Sequence, residues 1–195
     1  MLMSIDKTFI TEVFQNLDLQ PNEVERIAAT FELLDLKKGT ILLHENEVVH
    51  DQYYVHSGCL RTYSNDISGK EHTIQFAIKD WWISDYTAFF NTAKALLQIE
   101  CIQDAQVYKI SRNEMEALYA EIPSLETFFR KKMEKGFAAF QKRILSNLSQ
   151  SAKDRYYSFI NTYPNIEQSV KNYHIASYLG VTTESLSRIR KEITS

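Results

Sequence analysis

The chain has 195 residues, of which 44% are hydrophobic and 12% aromatic, with five Gly and three Pro. That composition supplies the core of one large domain, or of one medium and one small, and excludes a fibrous or disordered chain. Two cysteines, Cys59 and Cys101, exclude a disulfide framework and a four-cysteine metal site within one chain, and no run approaches the roughly 20 apolar residues of a membrane span.

The N-terminal MLMSIDKTFITEVF lacks the basic-then-apolar layout of a secretory signal, so a cytoplasmic location is expected. The formal net charge of -3 conceals a segregation. Residues 1–129 carry ten Lys/Arg against twenty Asp/Glu, a difference of -10, whereas residues 130–195 carry twelve against five, a difference of +7. An acidic front joined to a basic back is the layout of a regulator with a nucleic-acid-binding end.

Residues 5–34 repeat apolar side chains at helical spacing (Phe9, Val13, Phe14, Leu17, then Val24, Ile27, Ala28, Phe31) and predict two short helices, with Pro21 suited to a first turn. From Lys37 the texture changes to short β-branched and aromatic runs: GTILLHENE, DQYYVHSGCLRTYSND, KEHTIQFAIKD and LLQIECIQDAQVYKIS. They are punctuated by Gly39, Gly58, SND and SGK, and predict a β-sandwich or barrel. At Ser111 the helical period returns, with Glu114 completing a capping box. After Pro123 an unbroken segment places Leu125, Phe128, Phe129, Met133, Phe137, Phe140, Ile144 and Leu148 three or four residues apart. So long a stripe needs a cover, and pairing with the same helix of a second chain is expected. Gly136, in mid-helix, suggests a kink or a close backbone approach there. SAKDRYYSFINTYP is a further amphipathic helix, ending before Pro164.

The stretch HIASYLGVTTESLSRIRKEI (residues 174–193) meets the needs of a helix-turn-helix. Ala176 is small where two helices cross, Gly180 tolerates positive φ in the turn, and Leu186 faces back inward. Ile175, Leu179, Val181 and Ile189 complete a small core, and Thr182 is a natural N-cap. Thr183, Glu184, Ser187 and Arg188 then project outward, with Glu184 and Arg188 adjacent at i and i+4. Arg can donate two hydrogen bonds to guanine, and Glu can accept from cytosine N4. The bland alternative for the pair is a surface ion pair.

These residues carry a resemblance. IASYLGVTTESLSRIRKEI is similar to the recognition segment of the CRP/FNR family of bacterial transcription regulators, and YYVHSGCLRTY resembles the family's strand–glycine–strand signature, with Gly58 at the turn. The resemblance covers nearly the whole chain. It implies an α+β fold: a β-roll (jelly roll) flanked by helices over residues 1–118, a long dimerisation helix over 119–148, and a C-terminal (winged) helix-turn-helix over 149–195. The segment between Pro164 and Tyr173 is short, so an abbreviated or missing wing is expected. By this match Glu184 and Arg188 fall on base-contacting positions, and Thr183 stands where other members carry a base-reading Arg. Tyr173, Thr182 and Lys191 complete the expected DNA-binding set. Lys131, Lys132, Lys135, Lys142 and Arg143 lie on the long helix, and some of them are expected to add positive field.

The ligand region departs from the family pattern. Where cyclic-nucleotide-binding members carry a Gly-Glu pair and an Arg-Ser pair, this chain reads Ser84-Asp85 and Ala95-Leu96. A cyclic phosphate without its Arg is a buried charge with no partner, so cAMP is not expected as effector. The expected pocket residues are Trp82, Ser84, Asp85, Ala95 and Leu96, with the effector unknown and no cofactor predicted. His44, His50, His56 and His72 lack the His-x-His spacing of a cupin metal site, and no phosphate loop or nucleophile elbow appears, so no enzymatic chemistry is predicted. The expected partners are double-stranded DNA, a second copy through residues 124–148, and RNA polymerase. No membrane partner is expected. The competing reading is a β-roll sensory protein whose C-terminal helices make only protein contacts.

Overall fold

The computed structural model describes residues 7–194. Two short helices, α1 (Lys7–Val13) and α2 (Pro21–Ala28), lead into the sheet. The helical expectation for residues 5–34 runs too far. The chain turns after Ala28, and Glu32–Leu36 forms β1, where Leu34 pairs with Val107. Three leucines in five residues satisfy a helical and an extended period equally, and the sheet decides between them.

Six antiparallel strands follow the order β1-β6-β3-β4, with β2 (Ile41–Leu43) also on β6 and β5 (Trp82–Ile83) on β3. The two long strands β3 (Asp51–Asn65) and β6 (Gln98–Ser111) pair along most of their length, and β4 (Glu71–Ala77) lies at one edge. Gly58 is not at a turn between two strands, as its flanking sequence suggests. It sits inside the continuous β3, where the register with β6 slips on both sides, and it has φ +84°. A Cβ at this position would lie 2.3 Å from the Asp104 carbonyl oxygen and 2.6 Å from Ala105 Cα. Only a residue without a side chain allows the two strands this bulge and the bend it gives the sheet.

One face of the sheet and its two ends enclose the larger core, closed by α1, α2, the short α3 (Tyr86–Phe89), α4 (Arg112–Glu121) and the start of α5 (Pro123–Ser149). Phe9 stacks on Tyr108 with ring centroids 3.5 Å apart, and Phe14 meets both Phe128 and Phe129. The Ser111–Glu114 capping box starts α4 as its sequence predicts. The α5 stripe divides. Leu125, Phe128 and Phe129 are buried in this chain's own core, whereas Phe137, Phe140, Ile144, Leu145 and Leu148 are exposed. Gly136 brings no other segment close, since a Cβ there would meet nothing within 4 Å.

A second, smaller core joins the other face of the sheet to the C-terminal helices α6 (Ala152–Thr162), α7 (Asn172–Leu179) and α8 (Thr183–Thr194). Cys59, Phe76 and Ile102 supply the sheet side, and Tyr156, Phe159, Tyr163, Ile175, Leu179, Leu186 and Ile189 supply the helices. Between α6 and α7 the chain forms a 3-10 turn at Ile166–Gln168, and among the described residues no strand follows β6. The wing of a winged helix-turn-helix is therefore missing from the described residues.

Candidate nucleic-acid interface

Two short helices and a three-residue joint build the outward face of the C-terminal unit. α7 ends at Gly180, whose φ of +67° and ψ of +35° place it in the left-handed region. Its N–H donates back to Ala176 and Ser177 carbonyls, and Val181 N–H donates to the Ala176 carbonyl at 3.0 Å, so the chain reverses without stranding a helix-end carbonyl. Thr182 then caps α8: its Oγ1 accepts from Ser185 N–H at 3.2 Å. Leu186 is fully buried and Ile189 nearly so, against Ala176, Ile175 and Leu179. This small core fixes which side of α8 faces water.

Glu184, Ser187, Arg188 and Lys191 are exposed on that side, Thr182 is exposed at its start, and Thr183 is half-buried. Tyr173, at the start of α7, is also exposed. Of the expected DNA-reading residues, Glu184, Ser187, Arg188 and Lys191 thus lie on the exposed side of α8. The Glu184–Arg188 ion pair does not form. Thr183 Oγ1 donates to Glu184 Oε1 at 3.1 Å instead, and Arg188 has no carboxylate partner among the described residues. The Glu184 carboxyl is held below the usual carboxylate range by its own backbone N–H and by the Thr182 and Thr183 hydroxyls. It is therefore a charged acceptor, oriented at the helix N-terminus where anions are favoured.

Sequence reasoning missed the residues that brace this unit. Arg190, on the flank of α8, donates to Glu167 at 2.6 Å, to Asn172 Oδ1 at 2.6 Å and to the Tyr156 hydroxyl at 3.3 Å, so one guanidinium ties α8 to α6, α7 and the 3-10 turn. Arg155 donates to the Leu179 and Gln150 carbonyls. An Arg on the side of an amphipathic helix carries no sequence signal of its partners. Arg143 corrects an expectation. It is not free to lend field to DNA, because its guanidinium donates to the Ile74 carbonyl of β4 and lies 4.8 Å from the Tyr178 ring centre. Lys131, Lys135 and Lys142 remain exposed, and Lys132 reaches over the Phe128 ring.

The ligand-region residues are engaged by the fold itself. Asp85 is fully buried and accepts four backbone N–H groups: Thr87 at 3.1 Å and Ala88 at 3.3 Å on Oδ1, Leu96 at 2.7 Å and Leu97 at 3.0 Å on Oδ2. Its carboxylate thus ties the start of α3 to the Leu96-Leu97 backbone. Ser84 is buried and donates to the Asp51 carbonyl at 2.8 Å. Trp82 packs edge-on to Tyr54 and Phe129 inside the larger core. Ala95 is buried, and Leu96 projects its side chain into solvent. Of the five expected pocket residues, the structure joins Asp85 and Leu96 through the Asp85 carboxylate, and leaves Ala95, Trp82 and Ser84 as packing and loop anchors.

Comparison with known proteins agrees with this architecture. Residues 33–121 match the family model of the cyclic nucleotide-binding domain. The chain is 22% identical over 165 residues to the transcriptional activator protein Anr of Pseudomonas protegens, covering 79% of this chain and 67% of that protein. Among solved structures, FixK2 from Bradyrhizobium japonicum superposes with a TM-score of 0.74 at 17% identity over 84% of each chain. A crp/fnr-family regulator from Eubacterium rectale gives 0.71 at 21% identity over 94% of this chain and 88% of that one. Residues 33–121 thus match a cyclic nucleotide-binding domain, and the fold of most of the chain is shared with these solved structures.

Proposed function

We propose that the chain acts as a homodimer that reads a pseudo-palindromic DNA operator through α8. The observation that carries the reading is α8 itself, which buries Leu186 and Ile189 on one side and presents Glu184, Ser187 and Arg188 together on the other. Arg188, without a carboxylate partner, supplies a bidentate donor suited to guanine, and Glu184, held by Thr183, supplies an acceptor suited to the cytosine amino group. Tyr173, Thr182 and Lys191 lie beside them, where sugar-phosphate contacts set the register.

The second copy is assigned to the C-terminal part of α5. Phe137, Phe140, Ile144, Leu145 and Leu148 form an exposed apolar stripe on a helix whose first turns are already buried. Isolated large apolar residues are ordinary on a surface, but five on one helix need a cover. Functionally, residues 1–118 are the sensor-type roll, 119–148 the dimerisation segment, whose helix is α5 (Pro123–Ser149) because residues 119–121 still belong to α4, and 149–195 the reading unit. A cytoplasmic site of action goes with this function. Two recognition helices related by a dimer axis enter successive major grooves, so half-sites should lie about 34 Å apart.

Selection of bound genomic fragments at physiological salt tests the reading. The expected result is a shared two-half-site motif. Arg188→Ala should abolish sequence preference while leaving weak, salt-sensitive binding of the kind phosphate contacts supply. Recovery of no shared motif, or footprinting of the same operator by Arg188→Ala, would overturn it.

A further inference from the structure

One edge of the sheet is β4, and an uncovered edge is a row of unpaired backbone groups. Here the C-terminal region covers it with side chains from three successive helical segments. Arg143 of α5 donates to the Ile74 carbonyl, and the Tyr163 hydroxyl, just after α6, donates to the Phe76 carbonyl at 3.3 Å. Ser177 of α7 bridges two positions at once: its Oγ accepts from Thr73 N–H at 2.9 Å and donates to the Glu71 carbonyl at 2.9 Å.

Beneath the Ser177 bridge lies a buried charge cluster. Arg61 of β3 is 1% exposed and donates to Glu71 at 2.6 Å and to Glu100 at 2.8 Å, with its guanidinium 4.1 Å from the Tyr63 ring centre. His174 of α7 is buried 4.0 Å from the Glu71 carboxylate, and the Tyr173 ring lies against it at 3.8 Å. Beside the cluster, Phe76, Phe159, Tyr163 and Tyr178 form one aromatic group joined by Trp81. The joint between α5 and α6 is two residues, Gln150 and Ser151. Arg155 accepts its place there by donating to the Gln150 carbonyl, and Ser151 caps α6.

An interface that is apolar and hydrogen-bonded to β4 at several points does not swing freely, although Arg143 Nε and His174 Nδ1 stay buried in it without a hydrogen-bond partner. We infer that the β4 edge is a positioning clamp: Ser177, Tyr163 and the Arg61–Glu71 pair hold the reading helix at the angle to its own roll at which a dimer engages both half-sites, and DNA is bound with the clamp closed. This inference rests on the reading of α8 as the recognition helix and adds to it the residues that set its orientation. Its physical basis is preorganisation. Two heads already held at the operator spacing lose little orientational freedom on binding, whereas a loosened head must be ordered at each encounter.

The distinguishing readout compares a full operator with a single half-site. A lone half-site engages one head, whose angle to its roll is then irrelevant. Ser177→Ala and Tyr163→Phe, each removing hydrogen bonds to β4, should weaken binding of the full operator by about threefold to tenfold and leave half-site affinity unchanged. Ser177→Thr, which keeps the hydroxyl, should recover most of the loss. In the wild-type protein, hydrogen exchange at the Thr73 amide, followed by NMR, should be as slow on the operator as in the free protein. Equal weakening on both DNAs, no weakening on either, or fast Thr73 exchange once DNA is bound would overturn the clamp while leaving α8 as the reader. Failure to select any DNA would overturn both.

Discussion

Asp85→Asn tests whether the ligand region is held shut by the chain's own anion. In the native structure each carboxylate oxygen accepts two backbone N–H groups, at distances from 2.7 to 3.3 Å, and the residue is fully buried. An Asn of the same size keeps one acceptor oxygen and turns an NH2 group toward the other pair. Two buried N–H donors then lose their acceptor, and each unsatisfied donor costs about 1–3 kcal/mol. The sum is about 2–6 kcal/mol, or roughly 4–24 °C in Tm for a chain of this length. Urea unfolding followed by far-UV circular dichroism gives the first quantity, and calorimetry the second. A loss below about 0.5 kcal/mol would refute the argument, because it would mean the four N–H groups are satisfied without the carboxylate. The same preparation tests the effector. A ligand present at a hundred times its dissociation constant stabilises the folded state by about 2.7 kcal/mol, so saturating cAMP should leave the wild-type Tm unchanged.

Leu148→Glu should convert the protein to a monomer in analytical ultracentrifugation with unfolding free energy per chain altered by less than about 0.5 kcal/mol, since Leu148 is 80% exposed. Gly58→Ala should cost more than about 3 kcal/mol in urea unfolding, because the new Cβ meets β6 backbone at 2.3 Å at a positive φ. Stability should also fall in acid through His174. Burial, then Arg61, Lys171 and Lys38, lower its pKa to about 3 against the Glu71 carboxylate at 4.0 Å, so the unfolded chain takes up a proton below about pH 6.5 that the folded one refuses. Between pH 6.5 and pH 5 the loss should be about 2 kcal/mol, and His174→Gln should flatten it.

The helices at both ends of the chain were legible in the sequence because they carry local signals. Ser111 and Glu114 cap α4, Pro164 follows α6, and Ala176, Gly180 and Leu186 mark the helix-turn-helix by spacing alone. The outward set on α8 followed from the same periodicity. What the sequence concealed depends on contacts between distant segments. Gly58 reads as a turn because glycine and serine usually terminate strands; only the approach of Asp104 and Ala105 from β6 shows it to be a bulge inside one. The Glu184–Arg188 pair is sound helical geometry, but a threonine one residue away reaches the carboxylate first. Arg61, His174 and Arg190 are isolated polar residues in sequence, and their partners lie 10 to 39 positions away in the case of Arg61.

Asp85 and Ser177 show the same device at two places. In each, one side chain satisfies backbone groups that would otherwise be unpaired: the N–H groups at the start of α3 and of Leu96, and the edge of β4. Satisfying such groups internally removes the affinity an external ligand would gain from them, because that ligand must first displace a well-made hydrogen bond. It also removes the free-energy difference by which a ligand shifts a conformational equilibrium, since only differential binding to two states can do so. On this argument the roll would supply a fixed mounting for the proposed reading unit. Operator occupancy should then rise with protein concentration along a curve that saturating cyclic nucleotide leaves unchanged.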